Sequence, residues 1–111
     1  MRPPLFVDGD DGLLIFQSAG KLAASLEPED VRAGVYGAVF DWEGHRLELS
    51  AVEERRRGLG AAPLVVVDEP EDPELDAEGL RELLDRALGA MGEVESLDEL
   101  RRLALERFGL S

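Results

Sequence analysis

Cysteine is absent from this chain of 111 residues, and its absence excludes disulfide scaffolds, thiol nucleophiles and thiolate metal sites. Histidine occurs once, as His45, which excludes metal sites built on several imidazoles. Positive charge is scarce too. Only 12 Lys plus Arg, with Lys21 the sole lysine, stand against 25 Asp plus Glu, a formal charge of -13 at pH 7. Such a surface repels phosphate, so nucleic acid and anionic lipid are excluded as partners, while a basic protein is steered towards it. Long apolar runs are missing: the densest, Leu13–Phe16, is far too short to span a bilayer. The start of the chain meets Asp8, Asp10 and Asp11 too soon for a signal peptide. The chain is therefore expected to be cytoplasmic.

Hydrophobic residues make up 44% of the sequence, and their periodic placement argues for a packed core rather than disorder. A chain of this length buries roughly two-thirds of its unfolded surface, which predicts a single domain over residues 1–111. Leu5–Val7 and Leu13–Phe16 flank Asp8-Gly9-Asp10-Asp11-Gly12 and predict a hairpin, since Gly accepts positive φ and Asp caps turns. Ser18 is an N-cap for a short helix carrying Leu22, Ala23 and Leu26. Pro28 interrupts, and Glu29–Gly34 reads as a turn.

Val35–Phe40, Asp41–Gly44 and His45–Val52 predict a second hairpin, whose return strand alternates Leu47, Leu49 and Ala51 against Arg46, Glu48 and Ser50. Glu53–Ala62 reads as a charged, glycine-rich loop. Leu64–Val67, apolar on both sides, reads as a central fifth strand. Leu80, Leu83, Leu84, Ala87 and Leu88 then repeat at helical spacing, started by Asp72 before Pro73 or by Asp76 and ended by Gly89 or Gly92. Glu82 and Arg86 are placed to pair on its outer face. Ser96 and Glu99 match a capping box ahead of a last helix with Leu97, Leu100, Leu103, Ala104 and Phe108 inward. The fold class is α+β: an antiparallel sheet of about five strands, a short helix after the second, and two C-terminal helices packed on one face.

No catalytic constellation stands out. Asp8–Gly12 has calcium-like carboxylate spacing, but the twelfth position of such a loop is Ala19, which has no ligand oxygen. A hairpin turn accounts for every residue there. His45 with Asp41 or Glu43 could build a general base, though a histidine at a hairpin end is usually solvated. No serine sits in a Gly-x-Ser-x-Gly elbow. Gly58-Leu59-Gly60 lacks the third glycine of a phosphate loop, and Arg55–Arg57 is compensated by Glu53 and Glu54. No cofactor and no metal is expected. Trp42, at a hairpin tip, either folds back over the sheet or stands out as an anchor for a partner.

Ser25-Leu26-Glu27-Pro28-Glu29-Asp30-Val31, Gly34-Val35-Tyr36 and Phe40-Asp41-Trp42-Glu43-Gly44-His45-Arg46-Leu47 together resemble a loose group of small bacterial proteins. These look like immunity proteins that accompany polymorphic toxins, or are uncharacterised. The resemblance covers the first half of the chain and carries no catalytic residue. It implies a non-enzymatic protein of immunity or inhibitor type that neutralises a basic partner such as a toxin or nuclease. The contact residues expected are Asp41, Trp42 and Glu43 in the turn, with Asp68, Glu69, Glu71 and Asp72 in the acidic stretch. Two alternatives stand beside it: a small enzyme or ligand-binding domain with a site of dispersed carboxylates, and acids that serve solubility alone. Oligomeric state is left open by the sequence.

Overall fold

The computed structural model of the chain describes residues 1–56 and 60–110. β1 (Leu5–Gly9) and β2 (Gly12–Phe16) pair antiparallel from Leu5↔Phe16 to Gly9↔Gly12, leaving Asp10 and Asp11 as a two-residue turn. α1 (Ala19–Ser25) starts as expected on Ser18, whose hydroxyl accepts from the Lys21 N–H at 3.1 Å. The segment read as a turn after Pro28 is instead a second short helix, α2 (Pro28–Arg32). Proline opens it rather than breaking it, because its fixed φ suits the first helical position and its missing N–H had no partner there to lose.

The strand expected over Val35–Phe40 narrows to β3 (Val39–Phe40), ahead of which Gly37 and Ala38 hydrogen-bond to the Asp8 backbone. β4 (Arg46–Arg56) and β5 (Gly60–Asp68) are longer than the sequence predicts and pair from Glu48↔Asp68 to Arg56↔Gly60. Much of the expected loop Glu53–Ala62 is therefore strand. Charge and glycine do not by themselves exclude a strand, and here the two segments pair residue by residue out to Arg56↔Gly60. The connection itself, with Arg57 of the arginine run and Gly58 and Leu59 of the glycine segment, lies outside the described residues.

α3 (Ala77–Leu88) takes Asp76 as N-cap, its carboxylate accepting from the Gly79 N–H at 3.0 Å, and ends on left-handed Gly89. Arg86 reaches across to Asp8 at 3.0 Å rather than to Glu82. α4 (Leu97–Phe108) forms the Ser96 half of its capping box, the hydroxyl accepting from the Glu99 N–H at 3.4 Å.

The sheet order is β2-β1-β3-β4-β5, every neighbour antiparallel, and the α+β class holds. Because strand side chains alternate, each face has its own core. On one, Phe6, Leu13, Ile15 and Phe40 meet Leu80, Leu83, Leu84, Leu100 and Ala104 of the two C-terminal helices. On the other, Leu5, Val7, Phe16, Val39, Leu47 and Val65 meet Leu22 and Leu26 of the N-terminal layer. β5 is an edge strand, not a central one. Val65 and Val67 pack under the N-terminal layer, while Leu64 and Val66 are only half-buried on the other face. An apolar run satisfies one covered face and leaves the second partly wet. Phe108 also departs from expectation, standing 38% exposed at the end of α4.

Candidate functional site

The two acidic segments singled out from the sequence, 41–43 and 68–72, come from different parts of the chain and meet at one end of the sheet. β3 delivers Phe40 opposite Phe6, so the chain emerges at Asp41 beside the start of β1, and Trp42 donates its backbone N–H to the Arg2 carbonyl at 2.8 Å. The loop between β5 and α3 returns to the same end. There His45 bridges Leu75, the Arg46 N–H donates to the Glu74 carbonyl at 2.8 Å, and the Asp76 N–H donates to the Gly44 carbonyl at 2.9 Å.

Asp41 is the organising residue. Its side chain is 1% exposed, and both oxygens are filled. Oδ1 accepts the backbone N–H of Glu43 at 3.0 Å, Gly44 at 3.0 Å and His45 at 2.8 Å. Oδ2 accepts the Arg2 N–H at 3.1 Å and lies 3.2 Å from His45 Nδ1. Burial by itself raises the carboxyl pKa, but the hydrogen bonds from the His45 and Arg2 backbones and the His45 ring outweigh it, so the group titrates below its ordinary value. The turn then needs glycine at one point. Gly44 has φ +102°, and a Cβ on it would meet Ala77 Cα at 3.2 Å, so only glycine allows both the backbone conformation and the close approach of α3.

This geometry removes Asp41 from the contact surface expected of it: a buried carboxylate with every lone pair engaged holds the turn and cannot meet a partner. Trp42 also leaves it. The indole folds back and stacks on Phe6 at 5.7 Å between centroids, with the Arg101 guanidinium 5.2 Å from its ring. His45 is oriented by Asp41 as an acid–base pair would be, and the same contact, with the His45 N–H on Oδ1, closes the turn.

Glu43, Asp68, Glu69, Glu71 and Asp72 remain at the surface, and Glu74 joins them. Three positive groups sit among them and are already engaged: Arg2 with Glu43 at 3.2 Å, Arg46 with Asp76 at 3.4 Å, and the terminal ammonium with Glu69. Asp68, Glu71, Asp72 and Glu74 have no ion-pair partner among the described residues. Leu75, next in the chain to Glu74 and bridged to His45, is 62% exposed.

Sequence reasoning missed Leu75, since nothing marks one leucine among acids as outward. It also missed Arg101, which is buried over Trp42 and paired with Asp98. The signal for Arg101 was present: it falls four residues after Leu97 and three before Ala104, on the apolar stripe of α4. No helix among the described residues is long and apolar enough to cross a membrane. Comparison with protein-family models, curated proteins and solved structures found no match, so any functional reading rests on this geometry.

Proposed function

We propose that the chain is a non-enzymatic binding protein of immunity or inhibitor type, acting in the cytoplasm, whose acidic end docks a basic protein such as a toxin or nuclease. One observation carries the reading. The 41–45 turn and the 68–76 loop are tied together by backbone hydrogen bonds, and that loop carries carboxylates without ion-pair partners among the described residues together with an outward leucine. Carboxylates presented where an enzyme expects phosphates govern encounter rate and specificity more than affinity. An exposed apolar side chain in the same loop adds area that a docked partner can take out of water.

The test is association kinetics with the basic protein that co-purifies from cells encoding this chain. Replacing Glu71, Asp72 and Glu74 with Ser should slow association, while Leu75→Ala should mainly speed dissociation. The wild-type on-rate should also fall between 0.1 M and 1 M salt, as the Debye length shrinks from about 10 Å to about 3 Å. An on-rate indifferent to both substitution and salt would reduce these acids to solubilising groups.

A further inference from the structure

At the opposite end of the sheet the β1–β2 turn, the stretch after α2 and the last turn of α4 enclose a cavity of about 320 Å³. Its apolar wall includes Tyr36, Val35 and Phe108. Val35 and Phe108 are among the large hydrophobic side chains that folding leaves exposed, at 37% and 38%, and here they converge on one hollow. Its polar wall is Asp10, Asp11 and Asp30. None of these three residues has an ion pair or a side-chain hydrogen bond among the described residues, and no described lining residue is basic. Two independent features therefore coincide: unburied aromatic surface and unpaired negative charge.

We infer that this cavity binds an organic cation, a guanidinium or primary ammonium on a short apolar stem. Aromatic faces attract such a cation through their quadrupole, the stem covers the apolar wall, and the carboxylates hold the charged head. A bare metal ion fits poorly, since among the described residues no three His, Cys, Asp or Glu side chains converge on a metal-sized position. The volume lies at the small end of ligand sites, roughly 300–1,000 Å³, and suits one arginine-like group. The site shares no residue with the acidic end, so either can fail without the other.

Tyr36 is the only tyrosine, so its ring resonances report on the cavity without ambiguity. The experiment titrates the whole chain with agmatine, with a blocked Gly-Arg-Gly peptide and with neutral butylurea, following the Tyr36 and Phe108 rings by NMR at constant ionic strength. Saturable shifts are expected with the cations and none with butylurea. Tighter binding of the peptide identifies a partner's arginine as the source of the cation, and tighter binding of agmatine identifies a free one. Asp11→Asn with Asp30→Asn should weaken binding roughly threefold to tenfold, as should Phe108→Ala, with the fold of each variant checked by its amide spectrum. Glu93→Gln with Glu95→Gln removes as much charge from exposed positions outside the cavity and should leave the affinity unchanged. Non-saturating shifts, equal response to magnesium chloride, or equal weakening by the Glu93/Glu95 pair would overturn the assignment.

Discussion

Removing the Asp41 carboxylate should loosen the whole acidic end. Asp41→Ala takes the carboxylate acceptor from four backbone N–H groups, those of Arg2, Glu43, Gly44 and His45, of which Gly44 keeps the residue-41 carbonyl at 3.2 Å. An unsatisfied buried donor costs about 1–3 kcal/mol. The buried Gly44 donor keeps that carbonyl, and the other three, only part-buried, recover water once the turn opens, so the sum stays far below four full penalties. A loss of roughly 2–4 kcal/mol follows. Asp41→Asn is the sharper probe. Its carbonyl can keep the three Oδ1 bonds, but its NH2 then faces the Arg2 N–H and the His45 ring, so the two Oδ2 contacts are what change, at about 1–2 kcal/mol.

The same carboxyl sets a pH dependence. Its native pKa lies below the ordinary carboxylate value. The stability it contributes is therefore complete above its unfolded pKa of about 3.9 and is lost as pH falls through the lower native value. Urea unfolding of wild type and both variants between pH 7 and pH 3 reads both effects. Wild type should lose its advantage over Asp41→Ala on acidification. An advantage constant with pH, or Asp41→Asn as costly as Asp41→Ala, would refute the hub assigned to this residue.

Three further outcomes are expected. Leu84→Ala, at a side chain with 0% exposure between sheet and helices, should cost roughly 2–5 kcal/mol in chemical denaturation, and a loss under about half a kcal/mol would make α3 peripheral. Gly44→Ala should destabilise by at least about 1 kcal/mol, from positive φ and the contact with Ala77 together; thermal melting checks it, and a neutral result would remove the seam between turn and helix. Glu48 and Asp68 are exposed and stand directly opposite each other across β4 and β5, a like-charge pair that opposes strand pairing. Glu48→Lys should stabilise by about 0.2–1 kcal/mol, less at high salt.

The local signals in the sequence translated well because each rests on a nearest-neighbour physical cause. Ser18, Asp76 and Ser96 cap the helices they precede, and Gly89 ends α3. The turn around Asp10 and Asp11 forms between its two glycines. What depends on distant parts of the chain was not legible. The apolar run Leu64–Val67 has the same composition at an edge as at a centre, and only the path of the whole chain decides between them. Proline at 28 opens a helix because Glu27 before it is extended, a choice the proline does not announce. The acidic segments were visible as composition, but their meeting was not, because it runs through backbone hydrogen bonds between residues 44–46 and 74–76. Asp41 misled for a related reason. A carboxylate in a turn looks solvated until the amides that surround it are counted.

Site-specific photocrosslinking tests the proposed role most directly. A benzophenone side chain at exposed position 75, in the acidic loop, is compared with one at exposed Arg102 on α4, in cells that encode the chain. The docking reading expects an adduct from position 75 to a protein of basic isoelectric point, weakened when Glu71, Asp72 and Glu74 are replaced by Ser and when salt is raised. No adduct at position 75, or the same adducts in equal yield from both positions, would contradict it.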